Sequence, residues 1–482
     1  MTGFRTILAS LALAGVVGCR TTQEVLADYE RNLQAGDYSG SVAEVKELAD
    51  KNDGSCLLWS LLAGSCYHLS GDSSNAIALF DTAEDAMHRN DAASVFEQSV
   101  GTGQAMLVND TLFPYDGGGQ DRVFTCLYKA VDYLCAGKST PARTELNRAA
   151  QHQENWLWER RKDVEAASRR IEKEAGEYRK ERPEQSVPQS DPAQQTGAVF
   201  ADAGFAAQLR ENCGFDAATS GDLSTLAAAD YMNAYAQHVC GVFRWLAGDP
   251  AHAVLKDAAT LAPGTAAARD FADADAGRKP ANQIWVWIED GLCPCREEWR
   301  VDLPLFMFPG VEHYVKYAGM ALPRLRPRNA AATQWAVRAG GASVPAARLA
   351  DVDKLMKTED DVFMRGAIFR EVTRTLVQVG AQIALARAAD NSKDSGHRMS
   401  LIAAQLGVVA TAAATKAADI RCWTALPKSV MVARVDRPAD GRVNLVADGM
   451  TIPFTVPAGN TMVFVRKTAP GAAPVLKIAT FP

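Results

Sequence analysis

Apolar residues recur every three to four positions through most of the first 280 residues, which is the period of one face of an α-helix. Short helical runs alternate with turn residues, and the same Gly-Asp turn appears at Gly36 and again 35 residues later at Gly71. Comparable turns interrupt the later helical runs at Gly137 and Gly248. This succession predicts a stack of helical hairpins that bury a shared core.

The clearest hairpin signal lies in residues 56–87. Small and aromatic residues stand here at the offsets of the tetratricopeptide repeat, namely Gly64, Tyr67, Ala76, Phe80 and Ala83. A further unit has equivalent residues between positions 130 and 149, and a weaker one surrounds Gly248. The alternative is a set of antiparallel helix pairs without true repeat geometry. Either arrangement presents a concave face, and such faces normally bind peptides or proteins.

Residues 141–182 are predicted to form one long helix of mixed charge. Apolar residues recur in it every seven positions, but a coiled coil needs a second apolar position in each heptad, and Arg161 and Ser168 occupy that position. Any coiled coil would therefore have a narrow apolar interface. Three prolines among Glu, Gln, Ser and Asp then indicate a flexible linker at residues 183–198.

The pattern changes after residue 282. Residues 283–291 are rich in β-branched and aromatic side chains and predict a strand, with residues 297–306 as its expected hairpin partner. Two helices are predicted at residues 359–389 and 398–418. From residue 427 short strands alternate with turn residues every 8 to 12 positions, which is typical of a small antiparallel sandwich. We expect the strand at Trp285 to pair with this module.

These patterns predict a mostly α fold with a β part. An N-terminal helical-hairpin solenoid of tetratricopeptide type precedes an α+β region that ends in a small antiparallel β-sandwich-like module. The expected segments are a leader (1–18), helical repeats with the long helix (19–182), a linker (183–198), further repeat-like helices (199–281) and the α+β region (282–482, with its β module at about 427–482).

The first 19 residues have the organisation of an export signal. Arg5 precedes about 11 apolar or small residues, a run too short to span a bilayer permanently. Val16 to Cys19 resembles a bacterial lipobox, which implies cleavage before Cys19 and a covalent lipid on its thiol. A plain secreted protein and an uncleaved anchor are the alternatives. The absence of Asp after Cys19 favours the outer membrane, on its periplasmic face.

Composition narrows the range of partners. A formal net charge of −6 argues against nucleic acid as the main partner, because such proteins carry clustered positive charge. Of ten cysteines, nine remain after lipidation of Cys19, so at least one stays free or pairs outside the chain. No second apolar stretch approaches the 18 residues of a membrane span, so the membrane contact is expected through the lipid alone.

Catalytic signatures are missing from the sequence. It contains no His-Glu-x-x-His, no Gly-x-Ser-x-Gly and no P-loop motif. Gly117 to Gly119 are not followed by Lys-Ser/Thr, so we interpret them as a flexible loop rather than a phosphate cradle. Cys293 and Cys295 are one residue apart, and a structural pair is favoured over redox catalysis or metal binding. We therefore predict no catalytic residue, no metal site and no cofactor except the lipid.

Four segments stand out in this order, namely LFPYDGGGQDRVFTCLYKAVDYLCAG, ARTELNRAAQHQ, WIEDGLCPCREEWRVDLP and ADIRCWTALPKSVMVAR. Together they resemble a family of uncharacterised bacterial tetratricopeptide-like outer-membrane lipoproteins. Members of that family look to be encoded beside lipoproteins that activate penicillin-binding proteins. The resemblance implies a cellular location and a fold architecture, but it implies no catalysed reaction. Its most specific segments suggest the partner-binding residues Phe113, Tyr115, Arg122, Arg143, Glu145 and Arg148.

An alternative role for the charged residues is an ion-pair network that locks the long helix onto the preceding hairpin. The favoured function is a lipid-anchored scaffold, not an enzyme, that binds protein partners in envelope or peptidoglycan assembly. Two other functions stay open. One is an envelope enzyme or glycan-binding protein that uses a cleft between the helical and β parts, and the other is a subunit of a surface or secretion assembly.

Overall fold

A computed structural model describes residues 21–50, 56–100, 114–115, 117–181, 202–216, 223–224, 226–302, 315 and 318–481. The predicted leader, lipidation site Cys19, partner-binding residue Phe113 and linker 183–198 lie outside these residues, and their predictions stay predictions. The described part is a mixed α and β structure with several antiparallel sheets.

Eleven helices are described before the first strand. They are α1 (Thr22–Ala35), α2 (Tyr38–Ala49), α3 (Cys56–Ser70), α4 (Ser73–Val100), α5 (Gly119–Cys135), α6 (Ser139–Glu181), α7 (Ala203–Cys213), α8 (Ala228–Tyr231), α9 (Ala234–Ala247), α10 (His252–Leu261) and α11 (Ala266–Asp275). From α1 to α6 each helix packs against the next one in the chain, and α9 packs on both α10 and α6. The predicted long helix is confirmed as α6.

The turns between paired helices have a common local cause. Gly36, Gly71, Gly137 and Gly248 all adopt the left-handed backbone conformation, with φ between 72° and 86°. This region is costly for residues with a Cβ atom, so glycine there ends one helix and lets the chain reverse into the next. The predicted hairpins at these four glycines are confirmed.

Packing between α3 and α4 depends on the absence of a side chain at one position. A Cβ atom built on Gly64 would lie 2.9 Å from Cε1 of Phe80, so the Phe80 ring fills the place that a side chain at position 64 would take. Ala76 and Ala83 are fully buried beside it. The small residues Gly64, Ala76 and Ala83 and the Phe80 ring thus pack between α3 and α4, while tetratricopeptide geometry stays a prediction.

The strands in the described part of the chain form three sheets. The strands are β1 (Gln283–Asp290), β2 (Cys295–Asp302), β3 (Gly319–Arg326), β4 (Trp335–Ala339), β5 (Ala342–Pro345), β6 (Ala347–Asp351), β7 (Ser429–Asp436), β8 (Arg442–Ala447), β9 (Met450–Thr455), β10 (Asn460–Lys467) and β11 (Val475–Phe481). The sheet orders are β11-β10-β1-β7-β6, β5-β4-β8-β9 and β2-β3. Two further helices, α12 (Val352–Asn391) and α13 (Ser395–Thr415), lie between β6 and β7 in the chain.

The five-stranded sheet is the middle of three layers. Trp285 and Trp287 on one face of β1 join the core of the helical layer. Ile284, Val286 and Ile288 on the other face pack against the four-stranded sheet. All eight residues of β1 are therefore buried, and the inner face of the helical layer is covered by the sheet.

Two strand predictions need correction. Residues 297–306 were expected to pair with β1, but β2 pairs with β3, while β1 lies between β10 and β7. The C-terminal module was expected to be a small antiparallel sandwich, but β4–β6 also contribute to its two sheets, and β1 runs parallel to β10. The expected pairing of the Trp285 strand with this module is confirmed.

A second core lies beside the three layers. The β2-β3 hairpin packs against α7 and α12 through buried residues such as Phe205, Leu322 and Ile368. Helix α12 is 40 residues long in total, and α13 packs against it. Among the described helices, none combines the length and the apolar character that a membrane crossing requires.

Candidate functional site

Two of the predicted partner-binding residues meet on α6 in a cluster of ion pairs. Arg148 lies 3.1 Å from the Glu145 carboxylate and also contacts both carboxylate oxygens of Glu84 on α4, at 3.0 and 3.1 Å. Lys129 on α5 lies 2.9 Å from Glu145, 2.8 Å from Glu84 and 2.6 Å from Asp81. This geometry is the ion-pair network that locks α6 onto the preceding hairpin.

The acidic and basic groups of this cluster stabilise each other's ionised forms. Burial alone would raise the pKa of Glu84, but hydrogen bonds and charge from Lys129 and Arg148 outweigh it and lower the pKa. The same carboxylates raise the pKa of Lys129 against the opposing effect of burial. Glu84 and Lys129 are therefore both held in their charged forms at neutral pH.

The same place holds a set of atoms with the spacing of metal ligands. Donor atoms of Glu84, Cys126 and Glu145 lie within 4.8 Å of one another. However, the Lys129 ammonium already lies against both carboxylates, and burial raises the pKa of the Cys126 thiol well above its usual value. A metal ion would have to displace that ammonium and bind a protonated thiol, so the residues do not fit a metal centre.

The other described residues of the predicted set lie elsewhere. Arg143 pairs with Asp249 at 2.8 Å, across the contact between α6 and the α9-α10 turn. Arg122 makes two hydrogen bonds to Asp91, at 2.9 and 3.1 Å. The Tyr115 hydroxyl donates to Asp121, and burial raises the pKa of Tyr115 well above its usual value. Among the described members of the set, Glu145 and Arg148 are the pair in contact. A partner-binding role for the set stays a prediction.

A small cavity opens where the helical layer meets the β10-β11 edge of the sheet. His68, Lys477, Glu289 and Arg466 provide its polar lining, and about 10 Å³ is free at its centre, which suits about one water molecule. His68 Nδ1 lies 2.9 Å from Asp132, which also accepts hydrogen bonds from Ser73 and Lys477. The Lys477 ammonium also lies 3.3 Å from His68 Nδ1, so the imidazole sits between a carboxylate and a cation.

The carboxylate of Glu289 forms the other side of this cavity. It accepts hydrogen bonds from the hydroxyls of Tyr235 at 2.9 Å and Tyr128 at 3.1 Å, and Arg466 lies 3.6 Å away. Burial, followed by the charge of Glu289, raises the pKa of both tyrosines well above 10, so they stay protonated donors. The group ties α5 and α9 to the middle strand β1.

Cys293 and Cys295 are both free thiols. Burial raises the pKa of Cys293 to about 12 and also raises that of Cys295. The Cys293 thiol donates to the carbonyl of Trp423 at 3.4 Å, while Arg326 donates to the Cys295 sulfur at 3.2 Å. A protonated, buried thiol is a poor nucleophile, so this geometry supports the structural interpretation of the pair.

The glycine triplet is not the flexible loop that its sequence suggested. Gly117 has a left-handed φ of 73°, Gly118 caps α5, and Gly119 is the first residue of that helix. The backbone N–H of Gln120 donates to the carboxylate of Glu359 on α12 at 2.8 Å. The triplet is therefore an ordered helix start that receives a carboxylate from a distant element.

Sequence reasoning missed the residues that line these polar sites, including Glu359, His68 and Glu289. Each is separated from its partners by long stretches of chain, and none belongs to a motif of fixed spacing. The one local signal was the glycine triplet, which marks the N-terminal end of a helix but was interpreted as a loop. Comparisons of the chain with models of protein families, with curated proteins and with solved structures find no match.

Proposed function

We propose that this chain is a lipid-anchored envelope protein that holds protein partners, built on helical pairs of tetratricopeptide type. The sequential packing of α1 to α6 supports this framework, as does the contact of Gly64 with Phe80 between α3 and α4. The proposed anchor is the lipid on Cys19, and the proposed location is the periplasmic face of the outer membrane. Envelope or peptidoglycan assembly is the proposed setting.

The distance from the anchor to the folded body supports a position close to the membrane. Helix α1 begins at Thr22, and Thr21 caps it through reciprocal hydrogen bonds with Glu24. Only Arg20 separates this cap from Cys19, and two residues span at most about 7 Å. A lipid on Cys19 would therefore hold the N-terminal end of α1 directly at the lipid headgroups.

The partner surface we propose is on the outside of the molecule, because the sheet covers the inner face of the helical layer. Met399 is 66% exposed and Leu406 is 57% exposed, and their spacing of seven residues places them on one face of α13. We call these two residues the α13 stripe. Contiguous exposed apolar patches mark interaction sites, and we propose that these two residues form such a patch. Their alignment is the observation that carries the proposal.

The α13 stripe suits a helix of the partner protein. Ala403 and Gly407 are exposed between and beside the two large side chains, and no atom lies within 4 Å of a Cβ atom built on Gly407. Large residues flanking small ones let a second helix approach closely, with its side chains seated between Met399 and Leu406. Another side of α13 faces α12, since Gln405 donates to the carbonyl of Gln382 on α12.

Two of the predicted charged residues offer a second place of contact. The side chains of Arg143 and Arg148 are 42% and 32% exposed despite their ion pairs. A partner with surface carboxylates could therefore reach both without opening the core. This contact is a separate part of the proposal and is tested by its own variants.

Crosslinking and pull-down from envelope preparations test the proposal. The variant M399S/L406S is expected to lose a protein partner that the wild-type chain captures, and the purified partner should then bind the purified chain directly. Met450→Ser is the matched control, because Met450 is an exposed methionine on β9. Arg143→Ala and Arg148→Ala test the charged contact. Equal capture by the folded M399S/L406S variant and by the wild type would reject the α13 stripe.

Anchoring is tested separately by palmitate labelling, which should disappear in Cys19→Ala. The prediction that the chain is not an enzyme is tested by incubating the purified chain with cell-wall substrates. Turnover of a substrate would reject that prediction. The cavity at His68 does not favour the glycan-binding alternative, since a space for about one water molecule is too small for a sugar ring.

A further inference from the structure

The N-terminal end of α5 presents backbone N–H groups that the helix itself does not bond. The first four N–H groups of any helix lack intrahelical partners, and together with the helix dipole they attract negative charge. Here the N–H of Gly118 donates to Asp121 at 2.9 Å, and the N–H of Gln120 donates to Glu359 at 2.8 Å. A carboxylate from α12 thus occupies the end of a 17-residue helix.

The two glycines make the room for this carboxylate. A Cβ atom built on Gly118 would lie 2.4 Å from Oε2 of Glu359, and one built on Gly119 would lie 2.7 Å from Oε1. Both distances are shorter than real contacts of a Cβ atom allow. The Glu359 carboxylate therefore lies flat against two backbone positions that only glycine leaves open.

Trp156 supplies an independent observation at the same place. Its side chain is only 3% exposed, and its indole nitrogen Nε1 has no hydrogen-bond partner. Nε1 lies 2.4 Å from the Cβ position built on Gly119, beside the Oε1 atom of Glu359. Buried N–H donors almost always have an acceptor. We therefore infer that this indole can donate to a carboxylate oxygen whose position differs slightly from that of the Glu359 oxygens.

We propose that Gly118, Gly119, the N–H of Gln120 and the indole of Trp156 form a carboxylate-binding cradle, which Glu359 fills in this structure and an external carboxylate can take over. The ligand class is a carboxylate, either the C-terminus of a peptide or a small organic acid. A phosphate dianion fits less well, because Asp121 already directs its carboxylate at the same helix end.

Exchange with Glu359 defines how strongly the cradle binds. Glu359 is part of the same molecule, so it competes with an effective concentration that a free acid has to overcome. Removal of that competitor should therefore expose the cradle. Acetate is expected to bind Glu359→Ala at least about ten times more tightly than the wild type.

NMR of the full chain labelled with ¹⁵N in the tryptophan indoles tests this directly. The chain has nine tryptophans, and Trp156→Phe identifies the signal of Trp156 by its disappearance. Sodium acetate should shift this signal in Glu359→Ala, while sodium chloride at equal ionic strength should not. N-acetyl-alanylalanine with a free C-terminus and its amide then distinguish a peptide C-terminus from a small acid, since only a peptide site should bind the free peptide more tightly than acetate.

Glu47→Ala is the matched control, because it removes one exposed carboxylate from α2 and should bind acetate no better than the wild type. If Glu359→Ala is unfolded, Glu359→Gln keeps the shape of the side chain without its charge and should bind acetate more tightly than the wild type. Absence of an acetate-specific shift of the Trp156 signal in a folded Glu359 variant overturns the cradle.

Discussion

The indole nitrogen of Trp287 donates a hydrogen bond to Nδ1 of His238 at 3.1 Å, and this contact fixes the tautomer of a fully buried imidazole. Because Nδ1 accepts, Nε2 must carry the proton and donate to Asp270 at 2.7 Å. Asp270 also accepts from the indole of Trp285 at 2.9 Å and from Arg434 at 2.6 Å. Helices α9 and α11 are thereby joined to β1 and β7 through one polar chain.

His238→Leu should destabilise the fold by about 2–5 kcal/mol, because it leaves the Trp287 indole and one bond of Asp270 unpaired in the core. His238→Gln offers one donor and one acceptor in the same side chain, so its cost should be about 1–2 kcal/mol. Urea denaturation measures both free energies of unfolding. Equal losses in the two variants would show that packing of the ring, rather than hydrogen bonding, sets the cost.

Gly64→Ala should destabilise the α3-α4 hairpin by about 1–3 kcal/mol, because the new methyl group would lie 2.9 and 3.0 Å from two carbons of the Phe80 ring. Gly407→Ala is the control, since it lies in an exposed part of α13 with open space around it. It should stabilise the chain by about 0.5–1 kcal/mol through helix propensity. Thermal melting compares the two, and an unchanged melting temperature in Gly64→Ala would contradict the packing role.

Local chemistry explains why the helical hairpins were predictable. A glycine at position 36 or 71 acts on its own two helices, so the signal lies within a few residues of the event it causes. The pairing of the strands was harder to predict than the helical hairpins. β1 is buried on both faces, so it lacks the alternation that would reveal its neighbours, and its parallel partner β10 lies about 180 residues further along the chain.

The polar sites were hidden for the same reason. Glu289 meets Tyr128 across 161 residues and Tyr235 across 54 residues, and neither separation follows from a motif. The ion pairs around Glu145 were partly foreseeable, because Glu145 and Arg148 are neighbours on one helix face. Their partners on α4 and α5 depended on how three helices pack together, which the spacing of charges along one helix does not specify.

His152 should make the fold sensitive to mild acid. Burial, followed by the charges of Arg122 and Arg148, lowers the pKa of His152 to about 4, compared with about 6.5 in an unfolded chain. Between these values the unfolded chain binds a proton that the folded chain does not, so stability falls as pH decreases from about 6.5 to about 4.

His152→Gln removes this proton uptake. Denaturation curves recorded from pH 7 to pH 4 should show the wild type losing stability relative to the variant across that window, with no such trend above pH 7. His152→Asn serves as a second neutral replacement and should behave in the same way. A difference between wild type and variant that does not change with pH would contradict the lowered pKa.

The cluster on α4, α5 and α6 should respond unequally to loss of its two cations. Lys129 is buried against Asp81, Glu84 and Glu145, so Lys129→Met leaves three carboxylates close together with Arg148 as the neighbouring cation and should cost about 3–5 kcal/mol. Arg148 is partly exposed, and water screens its contacts, so Arg148→Ala should cost about 1 kcal/mol or less.

Urea denaturation distinguishes these two costs, and the result decides how Arg148 can be used. If Arg148→Ala is nearly as stable as the wild type, a loss of partner capture in that variant reports on the surface rather than on the fold. If instead Arg148→Ala costs as much as Lys129→Met, the arginine is part of the buried framework. Its exposed fraction would then say nothing about binding, and only Arg143 would remain as a test of the charged contact.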